Sequence, residues 1–462
     1  MSPDRPRVCI IGGGISGLTV AHSLTSAGSH VDIVLLEAAD RLGGAIRTER
    51  VDDLLVESGA DSFLARAPDA VDLCTAIGLG DELISPAVFG ATIFRRSESP
   101  RLVAMPPDHV FGMPATPRAA LGAQHLSRPA RLRAALEPFV PGRRIDADVA
   151  IGHVVQRRYG RGVLDDSVDP LLAGTRAGDV FDMSLEAALP QVWGLVRGRR
   201  SIMRALEDAD VPTGPPPFKS VTGGLERVVS ALRDRLEGAD VRTGVRVESV
   251  AKGSKGMVVH TESGSVECQA AVLATPSFES ARLVRAASPE AATLLASIEF
   301  ASVATIVYVL PPGALTSAPP GSGALVPSAS GMALSACTWY SIKWPHAAPP
   351  DGGAVVRSFV GRAGESDALS MSDDDLIERV ARETEDVLDL RARPRAAHLK
   401  RWPRSLPQYR VGHVATVERI EAALRSTAGI WITGASYRGS GIPDCIRQAR
   451  ATAESIRRWL GP

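Results

Sequence analysis

The chain has 462 residues, 45% of them apolar and 23% charged, which is enough to fill more than one core, so two or three domains are expected. Its 52 basic and 52 acidic residues cancel, and overall charge gives no ground for a nucleic-acid partner. Five cysteines (Cys9, Cys74, Cys268, Cys337, Cys445) lie scattered without a CxxC pair, and none of the nine histidines is spaced with another as a metal ligand, which argues against a disulfide framework or a bound metal. The N-terminal residues lead into the first strand with no secretory pattern. The longest apolar run, 303–310, falls far short of the roughly 18 residues of a membrane span. A cytoplasmic protein is expected, with peripheral membrane contact left open. Positive charge is almost all arginine, since the only lysines are Lys219, Lys252, Lys255, Lys343 and Lys400.

The first element, 8–37, organises the rest. A short apolar run (Val8 to Ile11) leads into Gly12-Gly13-Gly14-Ile15-Ser16-Gly17, then a helical stretch, then a second apolar strand ending in Glu37. Gly12 permits a tight turn, Gly14 lets the backbone approach a pyrophosphate, and Gly17 lets the helix pack closely on the strand. The helix N-terminus directs free N–H groups at the phosphates, and Glu37 is placed to accept from a ribose. Flanking strands and the acid at this distance make the glycine motif a specific signal for a dinucleotide. Next come Gly43-Gly44 and Arg47, a tight turn beside a ligand with a cation to neutralise a phosphate or pack near its ring. Residues 54–63, with Gly59-Ala60-Asp61-Ser62, follow, and 68–79 reads as a short amphipathic helix.

A strand pair at 92–95 and 101–105 leads into a helical stretch. Pro129 starts a helix over 130–136, Asp148 caps one running to Tyr159, and 162–172 and 185–196 are further helices. The Pro/Gly segment 212–218 marks a boundary. After it, a helix at 225–236 and strands at 245–250, 257–261 and 265–269 end in the buried strand Ala271 to Ala274, a return to the cofactor unit. Residues 300–400 form a second excursion, with strands at 303–310, 333–339 and 353–360 and a helix at 372–390. The chain closes on a strand at 429–434, the loop Tyr437-Arg438-Gly439-Ser440-Gly441-Ile442-Pro443-Asp444, and a helix whose N-terminus favours negative charge.

Four segments carry a resemblance. They are the Gly12–Arg47 region; Trp339-Tyr340-Ser341-Ile342-Lys343-Trp344-Pro345 with Arg357-Ser358-Phe359-Val360-Gly361-Arg362; Arg401-Trp402-Pro403-Arg404-Ser405-Leu406-Pro407; and Gly434 to Arg447. Together they resemble the oxygen-dependent coproporphyrinogen III and protoporphyrinogen IX oxidases, FAD enzymes of the amine-oxidase-like superfamily. The match covers most of the chain and is loosest over 112–210. It implies an α/β fold in which a Rossmann-like FAD domain is assembled from 1–90, 214–290 and 401–462. A mixed-sheet substrate domain would use 91–110 and 291–400, and a helical insertion, a candidate membrane-docking unit, 111–213.

By the resemblance, FAD would be held without a covalent bond by Gly12 to Gly17, Glu37, Ala38, Gly43, Gly44, Arg47, Gly59 to Ser62, Val247, Trp402 and Ser440 to Ile442. No cysteine precedes Asp444 in the closing loop to anchor it. A substrate propionate would meet Arg101 or Arg176. The implied reaction takes six electrons from a porphyrinogen in three two-electron steps, with O2 reoxidising the flavin to give H2O2. No side chain is assigned as acid or base, and His346 and His413 are expected to pack or hydrogen-bond. Coproporphyrinogen III, with four carboxylates, suits an arginine-rich chain similar to enzymes of high-GC Gram-positive bacteria. Protoporphyrinogen IX is the alternative, followed by an amine oxidase or carotenoid desaturase on the same fold, or a flavin-free binding protein.

Overall fold

The computed structural model describes residues 5–26, 31–95, 101–209, 217–315, 317–362, 364 and 367–461. Most of the proposed boundary at 212–218 lies outside them. The architecture is mixed α/β, and its organising layer is a five-stranded parallel sheet. Arg7–Ile11 sits at its centre, flanked by Asp32–Leu36 on one side and Ala270–Leu273 on the other, with Asp240–Arg242 and Ile430–Ile432 at the edges. The central strands are apolar along their length because helices or strands cover both faces. On one face Leu18, Ala21 and Leu24 of helix Ile15–Ser26 pack with Ile446, Ala449 and Ala453 of the C-terminal helix Ile442–Leu460. The other face rests on the antiparallel strands Val247–Lys252, Met257–Thr261 and Gly264–Cys268. Segments from the beginning, middle and end of the chain therefore share one sheet.

The second layer is a seven-stranded mixed sheet. It gathers Ala91–Arg95 and Arg101–Ala104 with Phe300–Leu310, Gly323–Leu325, Leu334–Thr338, Ala354–Val360 and Ala396–Pro407. Helix Asp373–Leu388 covers one face, with Leu376 and Val380 among Ile306, Tyr308 and Val356. Its first turn is acidic and Ser372 caps it by accepting from the Asp375 N–H at 3.2 Å. The strand Ala396–Pro407 runs through 401, where the sequence reading had the chain leaving this sheet; Arg401 and Trp402 pair with Ala304 and Val303.

Residues between 117 and 208 are helical around a separate apolar cluster that includes Leu126, Val155, Leu172 and Leu206. Three details differ from expectation. The helix expected from Asp148 begins at Ile151, with Ala150 at its N-cap making no side-chain capping hydrogen bond. Asp148 accepts instead from Ser184 Oγ (2.8 Å), the Glu186 N–H (3.2 Å) and the Gly412 N–H (2.9 Å), which ties three distant segments together. The helix read at 162–172 is Arg161–Val163, a π-helical turn Leu164–Val168 and Asp169–Arg176, while 185–196 is broken where Pro190 starts a new helix.

Candidate active site

A cavity of ≈ 790 Å³ opens at the C-terminal ends of the parallel strands and runs on to the mixed sheet. That is where open α/β sheets bind their ligands. Gly12, Gly14, Ile15 and Ser16 line it from the first turn, Glu37 and Ala38 from the end of the second strand, and Gly43, Gly44, Gly59 and Ala60 from the following loops. Val247, Trp402, Ser440 and Ile442 complete the predicted residues on its wall.

The glycine turn divides its work. A Cβ on Gly17 would collide with the Gly12 carbonyl, so this glycine serves helix–strand packing. Gly13 is also turned inward, its N–H donating to Glu37 Oε2 at 2.6 Å. Glu37 Oε1 accepts from the Ala39 N–H at 2.8 Å, so the carboxylate is oriented by backbone before any ligand arrives. A Cβ on Gly14, by contrast, would meet nothing within 4 Å. The space over Gly14 is the cradle a bulky anionic group needs, with the N-terminus of helix Ile15–Ser26 pointing at it. Gly44 packs against Gly14 and closes the turn from the other side. A second helix N-terminus, that of Ile442–Leu460, starts at the cavity wall with Pro443 in its first turn and Gly441 as its cap.

Arg47, Asp61 and Ser62 do not line the cavity. Arg47 Nε donates to Glu49 Oε1 at 2.7 Å. Burial works against ionisation of Glu49, but hydrogen bonds from Ser58, Arg47 and His398 overcome it and pull its pKa down to about 2. Asp61 faces away from the cavity into a charged cluster behind the wall: Lys343 Nζ lies 2.8 Å from its Oδ2, Trp344 Nε1 3.4 Å and Arg357 Nη1 3.5 Å. Against the penalty of burial, those two cations hold the Asp61 carboxyl well below the usual carboxylate range. The same Arg357 donates through Nη2 to the Gly59 carbonyl at 2.6 Å, and Trp402 Nε1 donates to the Ser58 carbonyl at 3.1 Å. Thus the cavity-lining Gly59–Ala60 strip is clamped from behind by groups nearly 300 residues away in sequence.

Glu57, just before that strip, is buried and accepts from the Leu225 N–H (2.6 Å) and Thr48 Oγ1 (3.0 Å). Burial pushes its pKa up to about 7. His413 stacks on Tyr409, and one ring nitrogen lies 2.8 Å from the Tyr437 carbonyl. His346 sits beside Trp344. Both are packing residues in this geometry.

The end of the cavity beside the mixed sheet is walled by Phe300, Val303, Phe359, Leu406 and Pro407, with hydroxyls from Thr175, Thr305 and Ser335. None of these had been singled out as a site residue. Ala274-Thr275-Pro276, at the end of a buried strand, also lines the cavity, and its position after that strand is the one signal that could have found it. The charged residues on the wall are Glu37, Arg246, Glu279 and Arg282; of these Arg282 is held by the Val247 and Glu248 carbonyls at 2.8 Å. No acid or base reaches the apolar end among the described lining residues. Arg176 lies between the lining residues Thr175 and Ala177 and donates to the Ala188 carbonyl at 2.9 Å. Arg101 is exposed on the outer strand of the mixed sheet and lines neither this cavity nor a neighbouring one of ≈ 680 Å³ that shares Phe300 and Val303.

Residues 15–457 match the model of the flavin-containing amine oxidoreductase family. Over its whole length the chain is 30% identical to the full length of a coproporphyrinogen III oxidase of Bacillus subtilis. It is 33% identical, over 97% of this chain and 96% of the relative, to a coproporphyrinogen III oxidase of Mycobacterium bovis. A crystal structure of a candidate protoporphyrinogen oxidase from Exiguobacterium superposes with a TM-score of 0.87 at 29% identity, covering 99% of each chain.

Proposed function

The chain belongs to the flavin-containing amine oxidoreductase family, and from that premise we propose that it binds FAD non-covalently and oxidises coproporphyrinogen III to coproporphyrin III with O2 as acceptor. The observation that carries this reading is the continuity of one cavity from the Gly14–Glu37 cradle to an apolar chamber in which no acid or base stands among the described lining residues. That layout suits a reaction whose chemistry belongs to a cofactor and whose protein supplies position and field. It also agrees with relatives of full length named for this activity.

When bound, FAD would supply a two-electron acceptor for hydride, used three times per substrate and each time reoxidised by O2 with release of H2O2. The protein's part follows from its own groups. The Gly12–Gly17 turn and the helix N-terminus after it would hold the pyrophosphate, and Glu37, oriented by the Gly13 and Ala39 N–H groups, would accept from the ribose hydroxyls. Phe300, Phe359 and Leu406 would exclude water and offer apolar surface to a flat macrocycle. The N-terminus of Ile442–Leu460 stabilises negative charge that develops at the wall. Arg176, between the lining residues Thr175 and Ala177, is the candidate cation for a propionate, and its guanidinium now donates to the Ala188 carbonyl. Arg101 would need a substrate side chain extending to the outer strand.

The test supplies coproporphyrinogen III and protoporphyrinogen IX separately in air and follows porphyrin fluorescence and peroxide. Three H2O2 per coproporphyrin III formed is expected. Oxidation confined to protoporphyrinogen IX would overturn the substrate, and a purified protein that takes up no FAD would overturn the oxidase.

A further inference from the structure

Behind the cavity wall made by Ala45, Gly59, Ala60 and Trp402 lies the cluster of Asp61, Lys343 and Arg357, two cations against one carboxylate. The side chains of Arg357, Lys343 and Asp61 are 1%, 12% and 18% exposed. Arg357 is held at the Gly59 carbonyl (2.6 Å), its guanidinium carbon lies 5.1 Å from the centroid of the cavity-lining Phe359 ring, and its Nε has no hydrogen-bond partner among the described residues. One Asp61 oxygen serves Lys343, Arg357 and Trp344, and the other carboxylate in range of Arg357, the buried Glu57, is pushed toward its neutral form by burial, so the two cations outnumber the ionised carboxylates. A net positive charge is thus fixed in a poorly solvated place one residue layer from the cavity, where solvent screens it weakly.

We propose that the Asp61–Lys343–Arg357 cluster is a redox-tuning device that raises the midpoint potential of the flavin bound against Gly59 and Ala60. Two electrons taken up with one proton leave the isoalloxazine one charge more negative, and a fixed positive charge behind the wall favours that state. The cluster touches neither cofactor nor substrate: its members are positioning residues that act through charge. The inference rests on the flavin reading above, and it goes beyond that reading by assigning work to residues outside the cavity.

Opposite substitutions separate charge from structure. Lys343→Met removes one positive charge, and Asp61→Asn removes one negative charge. Each holoprotein is titrated spectrophotometrically with dithionite against a reference dye. Lys343→Met should make two-electron reduction less favourable by about tenfold, which is about 30 mV, and Asp61→Asn should make it more favourable by a similar factor. Lys343→Arg should restore the parental potential. Shifts of the same sign in Lys343→Met and Asp61→Asn, or no shift in either, overturn the proposal. Should Asp61→Asn fail to fold, the pair Lys343→Met and Lys343→Arg decides alone: equal potentials in the two refute it. Failure of the flavin reading is distinguishable, because the parental protein would then bind no flavin to titrate.

Discussion

Replacing Gly14 by valine tests the cradle directly. Gly14 does not adopt a left-handed backbone, so a β-branched residue brings no φ strain, and its Cβ would stand in open space. The fold should therefore tolerate the change, with stability within about 1 kcal/mol of the parent. Bound FAD should not survive it, because the new methyls occupy the space in which a phosphate would reach the backbone N–H groups at the start of helix Ile15–Ser26. Two charge-assisted hydrogen bonds at roughly 1.5 kcal/mol or more each give a loss of about 3 kcal/mol, or more than a hundredfold in Kd. The assay is titration of apoprotein with FAD by quenching of flavin fluorescence, alongside thermal unfolding without cofactor. Gly17→Ala is the contrasting control: its methyl meets the Gly12 carbonyl and should cost stability first, by roughly 1–3 kcal/mol. Parental FAD affinity in a folded Gly14→Val protein would refute the phosphate cradle, and an unfolded Gly14→Val would refute the open space.

Glu57 should give folding a pH signature. Its pKa, raised by burial from 4.5 to about 7, means the folded state binds more protons, so stability falls as pH rises through that interval. The loss attributable to this group is ~3 kcal/mol, and comparing denaturant unfolding of parent and Glu57→Gln at pH 5 and 7.5 should show the variant with the flatter profile. In the helical region Glu137 is fully buried, pairs with Arg158 Nε at 2.7 Å and accepts from the Ile202 N–H at 3.0 Å. Glu137→Leu strands the Arg158 charge and should lower stability by about 3–5 kcal/mol, visible as a large drop in Tm; an unchanged Tm would show that the pair is dispensable.

What was legible in the sequence follows from how locally each signal is encoded. The first turn, Glu37 and the strand at 270–273 were readable because a parallel strand buried on both faces needs an uninterrupted apolar run, and the first such run leads straight into its glycine turn. The strand Ala396–Pro407 was not. Pro403 and Pro407 and the charged Lys400, Arg401 and Arg404 break its alternation, and only its place at the sheet edge, seen in three dimensions, makes them tolerable. Asp148 looked like a cap because it precedes a helical stretch, yet its hydrogen bonds go to Ser184, Glu186 and Gly412, partners that no local window contains.

The site divides the same way. Fourteen of the residues named stand on the cavity wall: the glycines because a ligand's backbone contacts demand them at fixed offsets, others such as Val247 and Trp402 through the family resemblance. Phe300, Phe359 and Thr305 come from alternating strands whose two faces look alike in sequence, and only the register of Phe300–Leu310 with Ala354–Val360 decides which face meets the cavity. Arg357 shows the limit most sharply. In sequence it is one cation inside an apolar strand, Ala354–Val360. In the fold it meets Asp61 and Gly59 from across the chain and brings a positive charge up to the back of the cavity wall. A buried charge is costly unless paired, and Arg357 meets that demand through Asp61 and the Gly59 carbonyl, partners nearly 300 residues away that fasten the strand Ala354–Val360 to the back of the cavity wall.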